Sequence, residues 1–203
     1  MTDPGARLAW LAALEAGAPD PVAAWRGISE ERPLSVRREV RRRAGEHSTP
    51  RILAQHEAIA DALEARIATL PEDAFRLPGG EAAWTVAEAL GHVFAARDGL
   101  VTAAALAAAG RFPEDAPRVI PGVPGPAAAS RDDLLRRLAL SRRIVARGAR
   151  AISGHELEAC PLDHPLVGRM RCGEWFLFAA VHDLMHLEQL ADLAARLETG
   201  ARA

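Results

Sequence analysis

The sequence predicts an all-α protein, a four-helix bundle with long crossover-type loops and an N-terminal helical arm. Three observations predict it. Ala and Leu dominate a chain that is 49% hydrophobic, 4% aromatic and free of Tyr, a composition that favours helices over sheets. Apolar residues recur at helical spacing over four long segments. Helix start and stop signals bound those segments, with neither βαβ alternation nor an internal repeat between them.

The arm comes first. Asp3-Pro4 supplies a cap and a first helical residue, and Gly17 a stop. Asp20-Pro21 repeats the start signal for a second short helix that ends before Pro33. Ser35 opens a third, rich in Arg, that stops near Gly45. Residues 1–47 therefore read as the arm and 48–203 as the bundle. Trp10, Leu11, Leu14, Val22 and Trp25 are more apolar surface than a free tail exposes. Packing back on the bundle is the simplest outcome for most of the arm. A homodimer is also expected, since an exposed helix face would supply a two-fold interface.

The bundle begins at Thr49-Pro50, read as a cap followed by Pro in the first turn. Ile52, Ile59, Leu63, Ile67 and Leu70 form an apolar stripe up to Pro71. Thr85-Val-Ala-Glu88 is a capping box, in which each side chain satisfies a free backbone N–H. It opens a helix running to about Ala109. Five prolines between 111 and 129 mark a long extended loop, and loops of that length are often functional. Ser130-Arg-Asp-Asp133 is a second capping box, for a helix to about Ser153. An irregular stretch, 154–172, leads into a last helix that ends near Gly200. Cys172 is a poor cap there, so its neighbours are expected to make up for it.

The 203 residues suffice for one domain with a real core plus an appended arm. All 25 basic residues are Arg, which reads as base composition rather than function. A net charge of −2 lacks the basic excess of a nucleic-acid-binding chain, and no nucleic-acid partner is expected. Two cysteines are too few for a disulfide scaffold. The start lacks the features of a signal peptide, and no window approaches the roughly 18 apolar residues of a membrane span. A cytoplasmic protein without a membrane partner is the expectation. There is no P-loop, no GxSxG, and little Ser for a serine triad.

His182 and His186 stand four residues apart in the apolar stretch from Gly173 to Leu190. Such a pair shares one helix face, about 6 Å apart along the axis. Buried imidazoles without partners are costly, and a shared metal ion satisfies both. Of the other five histidines, His92 is the best third ligand, because it lies among Leu90, Val93 and Phe94 early in its helix. Three imidazoles without a carboxylate leave a divalent ion its full charge and an open position, the catalytic rather than the structural pattern. Asp183 and Glu188 point away from the histidine face. Gln189 either supports the site or ends the buried stripe, and the second reading is preferred.

Trp84-Thr-Val-Ala-Glu-Ala-Leu-Gly-His92 resembles the first signature of the DinB/YfiT-like metalloprotein superfamily. His164-Pro-Leu-Val-Gly-Arg-Met-Arg-Cys-Gly-Glu-Trp175, followed by His182-Asp-Leu-Met-His186-Leu-Glu-Gln189, resembles the second. The resemblance covers roughly residues 50–197 and is specific through order and spacing, not through any single piece. It implies a four-helix bundle in which His92, His182 and His186 hold a divalent metal such as Zn, Ni or Fe. It also implies transfer of a low-molecular-weight thiol, or isomerisation or hydrolysis of a small-molecule substrate. The alternative is a non-catalytic stress-response or binding module with a structural or vestigial metal site. No general base is evident beside the ligands. Residues 1–47 match nothing in that pattern.

Weaker signals remain. Cys160, His164 and Cys172 lack the paired knuckles of a structural zinc site and read as two free thiols and a loop histidine. Arg37, Arg38, Arg41, Arg42 and Arg43 read as a solvated face, with contact to phosphates or an acidic partner the competing reading. His56, flanked by Gln55 and Glu57, reads as partly exposed. The two long loops are expected to wall a pocket, with Arg111, Arg118, Arg169 and Arg171 offered to a substrate carboxylate.

Overall fold

The computed structural model describes residues 4–29, 33–80, 83–120, 122–165 and 167–198. The regular elements among them are all helical, as the sequence predicts. They are α1 (Pro4–Glu15), α2 (Pro19–Ser29), α3 (Pro33–Arg43), α4 (Thr49–Thr69), a 3₁₀ turn (Glu72–Arg76), α5 (Val86–Ala108), α6 (Arg131–Ile152) and α7 (Cys172–Glu198). Asp3 and Gly200, used above as boundary signals, lie outside the described residues. No helix among those described is long and apolar enough to cross a membrane.

Both capping boxes form. Thr85 accepts from the amide of Glu88 while Glu88 accepts from that of Thr85, and Ser130 and Asp133 do the same. At the start of α7 the Glu174 carboxylate takes the Arg171 amide at 2.9 Å, which makes up for the poor cap at Cys172. Three arm and bundle starts differ from the sequence reading. α2 begins at Pro19, so Asp20 sits inside the first turn, where its amide donates to Gln55 Oε1. α3 begins at Pro33 rather than at Ser35. The residue before α4 is Ser48, and the Thr49 hydroxyl turns instead to Glu156 at 2.7 Å. A buried carboxylate from the 154–172 stretch competes better for that hydroxyl than the helix amides do.

α4 and α5 each pack against α6 and α7, a packing compatible with the expected bundle. The predicted stripe of α4 is buried along its whole length. α1 and α2 lie against α4 and α7, and Leu11, Leu14, Val22 and Trp25 are buried in the same core as Ile52 and Ile59. Burying each such side chain contributes roughly 1.5–3 kcal/mol. Asp20 anchors this contact by accepting from Gln55 Nε2 at 2.5 Å and from Arg43 at 2.8 Å.

That contact explains a correction. His56 is buried, not partly exposed, and its Nε2–H donates to the Phe176 carbonyl at 2.9 Å. The polar neighbours that suggested exposure are themselves engaged, Gln55 with Asp20 and Glu57 with Arg142. α4 is covered by α7 on one side and by α2 on another, which leaves His56 no route to water.

Candidate metal centre

α5 carries His92 in its second turn, and α7 carries His182 and His186 on consecutive turns. Because α5 packs on α7, the three rings meet. Their centroids are 5.2 Å (His92–His182), 5.4 Å (His92–His186) and 4.8 Å (His182–His186) apart, all edge to face. One ligand nitrogen from each lies within 4.8 Å of the others. Among the described residues this is the one group of His, Cys, Asp or Glu so gathered. Nitrogens on a tetrahedral ion would stand about 3.4 Å apart.

The outer hydrogen bonds select which nitrogens face inward. His92 Nδ1 lies 3.1 Å from the Val123 carbonyl, which can only accept, so Nδ1 carries the proton and Nε2 keeps its lone pair. His186 Nδ1 lies 2.8 Å from Gln189 Oε1, which sets the same tautomer. Gln189 therefore supports the site, contrary to the preferred sequence reading. Its position three residues on, over the next turn, places its amide beside the ring. His182 differs, because its Nδ1 is buried without a hydrogen-bond partner. Burial pushes its pKa well below the ordinary range, and His186 and His92 push the same way. Three clustered imidazoles, one of them with an orphaned buried nitrogen, are what a cation would complete.

Two glycines bring the Val123 carbonyl to His92. A Cβ on Gly91 would stand 2.6 Å from Gly125 Cα, and one on Gly125 would stand 2.5 Å from Gly91 Cα. The 111–129 loop therefore rests directly on the α5 backbone, with the Gly125 amide donating to the Glu88 carbonyl at 2.8 Å. Trp84 packs against the His92 ring from the other direction, at 5.0 Å between centroids.

His92 and His182 also line a cavity of about 340 Å³. Val119, Ile120 and Gly122 of one long loop and Leu162, Asp163, His164 and Pro165 of the other form its walls, with Trp175 and Phe178 behind. The loops thus wall the pocket as expected. Arg111, Arg118, Arg169 and Arg171 are not among its lining residues, so the expected carboxylate partners lie elsewhere. His164 is brought into the wall, where its ring meets Phe178 at 4.8 Å. It does not join Cys160 and Cys172, whose free thiols are both buried. Burial lowers the His164 pKa.

Sequence reasoning missed a buried polar network behind the site. Arg97 Nη1 pairs with Asp183 at 2.9 Å, and Arg97 Nε donates to Ser141 at 3.0 Å. Ser141 in turn donates to Asp98, which also pairs with Arg137 at 2.5 Å. Arg97 and Asp183 are 1% and 0% exposed, so the pair is fully out of water. Burial raises the Asp183 carboxyl to about 6 against the opposing pull of Arg97.

The DinB superfamily model matches residues 55–190, about two thirds of the chain. The chain belongs to the DinB superfamily. The matched span starts within α4, takes in all three histidines and ends just beyond Gln189. Comparison with curated proteins and with solved structures returned no match. Membership and the buried three-histidine group together fit a metal-binding DinB-like protein.

Proposed function

We propose that this DinB-like protein holds one divalent cation through His92, His182 and His186 and acts on a small molecule in the adjoining cavity. The observation that carries the proposal is the outward-turned Nδ1–H of His92 and His186. It leaves their Nε2 lone pairs available, in a group where one ligand nitrogen of each of the three histidines lies within 4.8 Å of the others. Imidazole donors suit Zn, Ni or Fe. When bound, the ion supplies Lewis acidity to a group entering from the cavity.

The chain's own residues define the rest. Val123 and Gln189 hold two rings in the tautomer that presents Nε2 to a cation. Val119, Ile120 and Leu162 make part of the cavity wall apolar. His164 accepts the Val167 amide at Nδ1 over 3.4 Å, which puts its own proton on Nε2. It adds a polar group to the cavity wall beside His92 and His182. The reaction classes that this reading carries are transfer of a low-molecular-weight thiol to an electrophile, isomerisation, or hydrolysis of a small molecule. The competing reading is a non-catalytic stress-response or binding module with a structural or vestigial metal site, which the want of an evident general base fits equally well.

Elemental analysis of the purified chain tests the metal, and the double change His182→Ala, His186→Ala tests its role. The expected outcome is loss of stoichiometric metal with helicity and cooperative unfolding retained. Loss of cooperative unfolding would instead make the ion structural. A screen of thiols against electrophiles, with and without the metal, then tests the reaction. The division at residue 47 and a homodimer are further proposals. The buried arm needs no second copy to cover its apolar residues, and light scattering of the full chain tests the dimer.

A further inference from the structure

Five arginines separated in sequence by up to 134 positions meet around one cleft of about 570 Å³. Arg37 and Arg41 come from α3, Arg118 from the 111–129 loop, and Arg169 and Arg171 from the stretch before α7. Like charges do not gather without a cost, and the cleft supplies little to offset it. Glu174 is the carboxylate in its lining, and both its oxygens are engaged, by Arg41 Nε at 3.3 Å and by the Arg171 amide at 2.9 Å. Asp163 reaches only Arg169, at 3.9 Å. Arg37 Nε is buried without a hydrogen-bond partner. A gathering of five guanidinium groups whose one lining carboxylate is already engaged is a place for an anion to bind.

The lining decides what kind of anion. Cys160 and Met170, both buried, line the cleft together with Ala159 and Pro161, so it offers apolar contact as well as guanidinium groups. Inorganic anions gain nothing from such a lining, whereas a carbon skeleton does. The cleft is separate from the histidine cavity, with which it shares no lining residue.

We propose that this cleft binds a small organic polyanion, a molecule with two or more carboxylate or phosphate groups on a compact carbon body, clamped chiefly by Arg37, Arg118 and Arg171. The site depends on the N-terminal helices, because Arg37 and Arg41 are on α3. It stands independently of the metal reading.

Calorimetric titration of the full chain with citrate and with 2,3-bisphosphoglycerate, at low and at moderate salt, tests it. Saturable one-to-one binding of at least one probe is expected, weakened by salt as charge pairing requires. Preference for citrate marks a carboxylate ligand and preference for the bisphosphate a phosphate ligand. The Arg37→Gln, Arg171→Gln double variant is expected to weaken binding by about tenfold or more, while His182→Ala leaves it unchanged. Should the double variant fail to fold by circular dichroism, Arg118→Gln, a change at an exposed loop residue, is read in its place. The proposal is overturned if neither probe saturates, if the arginine variants bind within about twofold of wild type, or if His182→Ala is the change that abolishes binding.

Discussion

Gly91→Ala is the sharpest test of how the loop serves the candidate metal site. The new Cβ would stand 2.6 Å from Gly125 Cα and 3.4 Å from Pro126 Cδ. Carbon atoms rest at about 3.5–4.0 Å, so the loop must retreat by roughly 1 Å. No side chain can yield there, because both sides of the contact are backbone. Val123 is two residues from Gly125, and its carbonyl lies 3.1 Å from His92 Nδ1. A retreat of that size takes the bond beyond useful length. Losing such an outer partner typically weakens metal binding by about 10–100-fold. Helix propensity works the other way, since Ala is favoured over Gly in a helix interior by about 1 kcal/mol. Stability should therefore change little while metal affinity falls. Zinc titration against a competing chelator measures the second, and thermal unfolding of the metal-free chain the first. Gly125→Ala should reproduce the result, since its Cβ meets Gly91 Cα at 2.5 Å. Zinc affinity within about twofold of wild type in both variants would refute the argument.

Gln189→Leu should lower zinc affinity by about tenfold at nearly constant melting temperature, because it removes the acceptor that holds the His186 ring. Equal affinity in the same competition assay would remove Gln189 from the site. The pH dependence of stability tests His56. Burial pushes its pKa from 6.5 down to about 3, so between those values the unfolded chain binds a proton that the native chain does not. The stability contributed by neutral His56 is thus complete above about pH 6.5 and is lost as pH falls toward 3, by about 1.4 kcal/mol per pH unit. His56→Gln, compared with wild type by urea unfolding from pH 6.5 to 4.5, should flatten the slope by that amount. Parallel slopes would contradict it.

Much of the arrangement was legible in residue types alone. Thr85 with Glu88 and Ser130 with Asp133 act within one turn of chain, so local pattern specifies them. His182 and His186 share a face by helix geometry, and His92 was picked out by its apolar neighbours. What was not legible lies across long gaps in sequence. The partner of His92 is a backbone carbonyl 31 residues away, and a carbonyl has no residue-type signature. A signal did exist in Gly91, a glycine inside a helix beside a candidate ligand, where it is unfavourable unless another backbone approaches. The His56 environment was misjudged because polar neighbours suggest water only when nothing covers them, and α2 does. The arginines of α3 read as a solvated face and those of the two loops as partners for a substrate carboxylate, because only the tertiary fold brings Arg37, Arg41, Arg118, Arg169 and Arg171 to one cleft.

The buried pair of Arg97 and Asp183 bears on how the histidines come to face the cavity at all. α7 is buried around its whole circumference from Cys172 to Val181. Hydrophobic burial therefore discriminates weakly between rotations of this helix about its own axis. Asp183 does discriminate, because it is out of water and its cation sits on α5. Next to it, His182 then has one direction left, toward His92. On this reasoning the pair sets the rotation of α7 and contributes little net stability, since its Coulomb attraction is offset by desolvation. The double change Arg97→Met, Asp183→Leu separates the two roles. It should leave urea stability within about 1–2 kcal/mol of wild type, or raise it, while zinc affinity falls by about tenfold or more. Arg97→Met alone should cost about 3–5 kcal/mol by leaving Asp183 buried without a partner. A double variant that keeps full zinc affinity would show that packing alone orients α7, and the pair would then have no part in building the site.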